Sequence, residues 1–169
     1  MSDADENEIK FVLRDPTALE VILDDHGIRW QHIRQGYLNE NTRVRRITER
    51  EEALYYLTYK QRLPNHHNLE IEGSIEAKVF EQAWPYTLEK LIKRRFKIEQ
   101  WDIDFYRWKR PYFALAEVEM PPETEAYTVL PIIQPYIHFI VPREDGRFAA
   151  RRLADEAHVE AVARDLGLI

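Results

Sequence analysis

The chain has 169 residues, 44% hydrophobic and 12% aromatic, and carries a formal charge of −6 from 24 basic and 30 acidic side chains. A chain of this length typically buries ~70% of its unfolded surface, so one domain over residues 1–169 is expected to hold a core without staples. With no cysteine, disulfide scaffolds, thiolate zinc sites, Fe–S clusters and cysteine nucleophiles are excluded, and the acidic balance argues against a nucleic-acid polymer as partner.

No apolar run approaches the ~18 residues needed to span a bilayer. The start, MSDADENE, is acidic and lacks the apolar stretch of a secretory signal. A cytoplasmic protein with no membrane partner is therefore expected.

Taken in chain order, residues 6–13 form the first organised segment, and the polar–apolar alternation from Glu6 to Phe11 reads as a strand. Asp15-Pro16 offers a helix N-cap followed by an N1 proline, Leu19, Ile22 and Leu23 have helical spacing, and Gly27 stands where a C-cap glycine would, so a helix is expected over 16–26. Strands are expected over 30–38, 43–47, 54–60 and 69–73, with Asn39-Glu40-Asn41 as a turn and 61–67 as a loop. Ser74 is read as the cap of a helix reaching Trp84, with Ile75, Val79, Phe80 and Ala83 on one face. A second short helix is expected after Pro85, up to Leu91. Strands follow over 92–98, 101–106 and 115–120. After a proline-rich break at 121–135 comes a last strand, 136–141. Residues 147–153 and 156–166 read as helices, with Gly167 at their end.

The informative feature is where the charges fall. In a strand, residues i and i+2 share a face, and like-signed pairs at that spacing recur: Glu6 and Glu8 (with Lys10), Arg43 and Arg45, Glu70 and Glu72, Lys93 and Arg95 (with Lys97), Asp102 and Asp104, Glu117 and Glu119. Any one pair is ordinarily a solvated strand face. Six strands doing this with signs segregated is different, because like charges directly opposite on a sheet destabilise it. A dry core cannot take them: each unpaired buried charge costs several kcal/mol, against the ~5–15 kcal/mol that holds a domain. Inward-facing charges therefore require a wet lumen. With Lys10 and Lys60 included, acids and bases come close to balance. Such a lumen suits a polyanion that carries divalent metals, its phosphate oxygens on the bases and its metal on the acids.

These motifs resemble those of the CYTH superfamily, the triphosphate tunnel metalloenzymes. Glu6-x-Glu8-x-Lys10 resembles the family's E-x-E-x-K signature. Gln35-Gly36-Tyr37-Leu38, Arg43-Val44-Arg45, Leu57-Thr58-Tyr59-Lys60, Glu70-Ile71-Glu72, Lys93-Arg94-Arg95-Phe96, Trp101-Asp102-Ile103-Asp104 and Leu115-Ala116-Glu117-Val118-Glu119 follow in the family's order. The resemblance implies an α+β fold: an eight-stranded antiparallel β-barrel forming a tunnel, with flanking helices.

As function it implies a triphosphatase dependent on Mg²⁺ or Mn²⁺, acting on tripolyphosphate or an organic triphosphate. A class IV adenylyl cyclase and a non-catalytic polyphosphate or nucleotide sensor stand as alternatives. By the same resemblance Lys10, Arg43, Arg45, Lys60, Lys93, Arg95 and Arg147 would hold phosphate, and Glu117 and Glu119 the metal. Glu6 and Glu8, with Lys10, would serve catalysis or a second metal, and Glu72 and Asp104 would be metal or supporting groups. Asp145, Arg147, Phe148 and Leu153 fit the family's C-terminal motif. Phe139, Val141, Arg143 and Ala150 depart from its pattern.

The expected partner is a small triphosphate-containing molecule, with the oligomeric state, a homodimer included, left open. The histidines lack metal-ligand spacing, and the pair His66-His67 reads as loop. Trp84, Trp101 and Trp108 read as packing residues.

Overall fold

The computed structural model describes residues 7–62, 64, 68–120 and 127–169. The fold is α+β. Its nine strands are β1 (Asn7–Leu13), β2 (Trp30–Tyr37), β3 (Thr42–Glu49), β4 (Glu52–Arg62), β5 (Asn68–Ser74), β6 (Glu89–Ile98), β7 (Trp101–Tyr106), β8 (Ala114–Met120) and β9 (Ile137–Val141). The α-helices are α1 (Pro16–Asp25), α2 (Ala77–Ala83), α3 (Ala150–Leu153) and α4 (Glu156–Asp165).

All nine strands form one sheet in the order β5-β4-β3-β2-β6-β7-β8-β1-β9, and every pairing is antiparallel. All nine strands read from the sequence take part, one more than the eight of the barrel that the resemblance implies. The sheet is not closed by hydrogen bonds among the described residues, because β9 occupies the Lys10–Leu13 half of the β1 edge, which leaves β5 and β9 as the two edges.

The period-two pattern sorts apolar residues onto both faces. On one face Phe11, Leu13, Phe96, Ile103, Phe105, Ala116 and Val118 form a cluster beneath α1. That helix inserts Leu19 and Leu23, both fully buried, each contributing about 1.5–3 kcal/mol of burial. On the other face Val12, Leu91, Tyr106 and Leu115 pack against Phe148, Leu153, Val159 and Val162 of the C-terminal segment. Two residues further along the same strands, that face turns charged (Lys10, Lys93, Glu117). The C-terminal helices thus seal the apolar end and leave the charged part open.

Several local expectations are corrected. Asp15 precedes α1 but has φ 49° and no side-chain capping bond; the Arg14 N–H donation to the Tyr136 carbonyl pins the chain there, while Pro16 does occupy the first turn. Ser74 is the last residue of β5, opposite Tyr56, and Glu76 is the residue that precedes α2. The helix expected up to Leu91 is only a 3₁₀ turn, Trp84–Tyr86. Glu89–Leu91 is already strand, because Leu91 pairs with Gln35 and is buried beside Tyr106 in the second cluster. Residues 147–153 divide into a 3₁₀ turn, Gly146–Phe148, and α3. Among the described residues no helix is long and apolar enough to cross a membrane.

Candidate functional site

The cross-strand register carries one face of the sheet from edge to edge. Glu8 lies opposite Glu119 and Lys10 opposite Glu117. Glu117 lies opposite Asp102, and Lys97, Arg95 and Lys93 oppose Asp102, Asp104 and Tyr106. Across β2, Gln35 meets Arg45 and Tyr37 meets Arg43. Arg43 meets Thr58, and Lys60 meets Glu70. Residues from all of β1 to β8 line one cavity of about 630 Å³, together with Phe148, Ala149, Ala150, Arg151 and Leu153 of the C-terminal segment. A sheet that surrounds one space with eight strands is curled.

Seven basic side chains and six carboxylates line this cavity, and most stand in two groups, with Glu70 beside Lys60 at 3.9 Å and Arg95 reaching Asp102 at 3.3 Å. Arg43, Arg45, Lys60, Lys93 and Arg95 stand on β3, β4 and β6. Glu8, Asp102, Glu117 and Glu119 stand on β1, β7 and β8. Lys10 sits within the acidic wall, 3.3 Å from Glu8 and 3.6 Å from Glu117. Burial disfavours its charge, but Glu117 and Glu8 outweigh that and hold its ammonium above the ordinary value.

Lys93 and Arg95 of the basic wall share one buried counter-ion. Asp104 is fully buried. It accepts from Lys93 Nζ at 2.8 Å and from Arg95 Nε and Nη2 at 2.7 and 2.8 Å. Burial opposes its charge, yet Lys93 and Arg95 prevail and keep the carboxyl well below the usual range. For Lys93 burial wins: it pulls the ammonium below its ordinary value despite Asp104, with Arg95 pushing the same way. Burial also lowers Arg45, reinforced by Arg43 and opposed by Glu72. The Nε atoms of Arg43 and Arg45 are buried without a hydrogen-bond partner among the described residues. Burial, then Asp104 and Glu117, raises the Tyr106 phenol well above its ordinary value, so it stays a neutral O–H donor in the wall.

Of the residues singled out in the sequence, Glu8, Lys10, Arg43, Arg45, Lys60, Lys93, Arg95, Glu117 and Glu119 meet at this cavity. Glu6 lies outside the described residues, as do His66 and His67. Asp104 does not offer a free ligand; both oxygens are taken by Lys93 and Arg95. Glu72 accepts from Thr58 Oγ1 at 2.7 Å and sits 3.5 Å from Arg45, bracing the wall from β5. Arg147 is off the cavity, held on Asp145 at 2.8 Å with its guanidinium over Phe139 and Phe148; four residues later, in α3, Arg151 reaches the lining instead.

Gln35, Tyr37, Thr58, Tyr106 and Arg151 are lining residues that the charge pattern did not flag. Period-two parity could have found the first four, since Thr58 is two before Lys60 and Tyr106 two after Asp104. Nothing local marks Arg151. Trp101 is buried against Phe11. Trp84 stacks on Phe80 and Trp108 on Tyr106, so all three tryptophans pack as expected.

A second cavity of about 240 Å³ adjoins the acidic wall, lined by Glu8, Lys97, Glu99, Gln100, Asp102, Glu117 and Glu119. No three carboxylates or imidazoles among the described residues are drawn together tightly enough to cage an ion. The donors are all hard oxygens, which suit Mg²⁺ or Mn²⁺. Mg²⁺ keeps several waters and takes one or two carboxylates plus substrate phosphates rather than a full protein cage. The opposed pair Glu8 and Glu119, flanked by Glu117, fits that mode.

No protein-family model matches the chain, and no curated protein matches it. Among solved structures it is similar to the hypothetical protein NE1496, at 24% identity over 88% of this chain and 97% of that one, with a TM-score of 0.58. PH1819 protein from Pyrococcus horikoshii OT3 is 17% identical over 96% of this chain and 87% of that one, with a TM-score of 0.46. The first likeness is one of fold alone.

Proposed function

We propose that the protein is a divalent-metal-dependent triphosphatase of the CYTH type, hydrolysing inorganic tripolyphosphate or an organic triphosphate in its central cavity. In this reading β1 to β8 form the tunnel of an eight-stranded barrel and β9 is an added edge. The observation that carries the proposal is the bipolar cavity: a basic wall with buried, unpartnered guanidinium atoms facing an acidic wall in one space.

Arg43, Arg45, Lys60, Lys93 and Arg95 bind and orient the phosphate chain. Guanidinium forks match phosphate oxygens bidentately, and Asp104 fixes the directions of Lys93 and Arg95. The curled sheet and the C-terminal segment exclude bulk water, which strengthens these contacts. Tyr106, held neutral, donates a hydrogen bond to a bridging or terminal oxygen. Glu8, Glu117 and Glu119 would hold Mg²⁺ or Mn²⁺, which when bound draws charge from the phosphate chain. Glu8, with Glu6 before it in the sequence, is the carboxylate assigned to orient the attacking water.

The deciding experiment is a product assay with tripolyphosphate, thiamine triphosphate, ATP and GTP, each with Mg²⁺ or Mn²⁺. Release of phosphate is the expected result. Cyclic AMP with pyrophosphate from ATP would make the protein a cyclase, and binding with no product from any triphosphate would make it a sensor.

A further inference from the structure

The outer face of the same strands carries a second group of cations that the tunnel does not use. Arg34 on β2 lies directly opposite Arg46 on β3, with about 5 Å expected between their Cβ atoms. Lys90 on β6 lies opposite Gly36, at the rim of the pair. Further along this face stand Arg94 and Arg107, and there the fold supplies anions: Glu20 and Asp24 of α1 bind Arg94, and Glu20 binds Arg107.

Arg34, Arg46 and Lys90 receive no such partner from any described carboxylate. The helix packed nearest, α2, does not supply one: Glu76 before it pairs with Lys78, and no ion pair joins Glu81 on it to these cations among the described residues. Aromatic rings hold the two guanidinium groups instead, and Lys90 Nζ has a ring contact beside the hydrogen bond it donates to the Thr87 carbonyl at 3.0 Å. The Arg34 guanidinium sits 4.7 Å from the Trp84 ring centre and Lys90 Nζ 5.4 Å from the same ring, while Arg46 sits 5.8 Å from Tyr55. A ring face attracts a cation without consuming its N–H donors. The Nε atoms of both arginines are buried and without a hydrogen-bond partner among the described residues. His32, on the same face, is held below its ordinary value by burial and then by Arg34, Arg107 and Arg46, which reports the positive potential there.

Two like charges set directly opposite each other, half-buried and without a carboxylate, destabilise a sheet unless an anion joins them. Two guanidinium forks and an ammonium exceed what the two oxygens of one carboxylate can accept, and they match a group with three outward oxygens. We propose that this face is a second oxyanion site, separate from the tunnel, in which Arg34 and Arg46 clamp a phosphoryl group with Lys90 at its rim. The site shares its strands with the tunnel, since Gln35 and Arg45 are the chain neighbours of these arginines and point into the cavity.

The test is calorimetric titration of inorganic phosphate, without metal, into full-length protein carrying Arg43→Gln and Arg45→Gln, which disarms the tunnel. One phosphate per chain is expected to bind still. Adding Arg34→Gln and Arg46→Gln should weaken it by about tenfold or more, the loss expected for removed charge-assisted hydrogen bonds. Should that quadruple variant not fold by circular dichroism, Arg46→Lys and Lys90→Gln, each placed singly on the tunnel-disarmed background, carry the test and should each weaken phosphate severalfold. Phosphate should also change the tryptophan emission of the tunnel-disarmed protein, and Trp84→Phe should remove that change. No uptake at millimolar phosphate once the tunnel is disarmed, or affinity unaltered by the outer-face substitutions, overturns the proposal.

Discussion

Replacing Asp104 by Asn should be the most damaging conservative change in the basic wall. Asn keeps the size and one acceptor oxygen but removes the charge that two cations share. Lys93 and Asp104 are almost fully buried, with side-chain exposures of 6% and 1%, and Arg95 is 15% exposed. Solvent therefore screens little of the loss. Breaking a buried pair by removing one partner typically costs about 3–5 kcal/mol, a large share of the ~5–15 kcal/mol available to a domain. For a chain of this size that corresponds to a fall in Tm of about 6–20 °C.

The assay is urea unfolding and thermal melting of Asp104→Asn beside the wild type, across pH. The acid side has a definite sign. The folded state holds Asp104 ionised below the ordinary value of 3.8, so the unfolded chain takes up this proton first as pH falls. The stability it contributes is complete above that ordinary value and is lost as the pH drops below it. The gap between the two proteins should be widest near neutrality and narrow in acid. Tripolyphosphate should stabilise the variant more than the wild type, because an added anion replaces the missing counter-charge. A gap under about 0.5 kcal/mol at neutral pH, the range of an ordinary surface change, would refute the assignment of Asp104 as the support of this wall.

Other outcomes follow from the same geometry. Glu8→Gln should lower kcat for triphosphate hydrolysis with little change in substrate affinity, whereas Arg43→Ala should weaken affinity; steady-state kinetics with direct binding separates the two. Mg²⁺ or Mn²⁺ with tripolyphosphate at about 100 times Kd should add about 2.7 kcal/mol, or roughly 5–11 °C in a melting scan; no shift with any divalent metal would count against the bipolar cavity as a binding site. Gly36→Ala should destabilise by about 1–3 kcal/mol in urea unfolding. Its added Cβ would stand 2.6 Å from Thr87 Cγ2, and Thr87→Ala on that background should recover part of the loss.

Side-chain direction in a strand is local, and that is why so much of the site was legible. Period two puts Glu8 with Lys10, Lys93 with Arg95, and Glu117 with Glu119 on common faces whatever the strands pair with, and the cost of burying them dry dictates a wet cavity. The same reading could not give strand order. That β2 lies beside β6, or that β9 takes half of the β1 edge and leaves the sheet unclosed among the described residues, depends on contacts distant in sequence. Nor could it separate Asp102 from Asp104. Both fit one pattern, but cross-strand neighbours make the first a cavity residue and the second a buried counter-ion.

The C-terminal end shows the limit most sharply. Arg147 and Arg151 are equivalent as residues, and only the packing of Phe148 and Leu153 into the sheet's apolar end decides that Arg147 turns back to Asp145 while Arg151 faces the cavity. At Glu89–Leu91, local propensity was overridden by the Gln35–Leu91 pairing. Periodicity fixes which way a side chain points along its own strand, and long-range pairing and burial fix what it meets there.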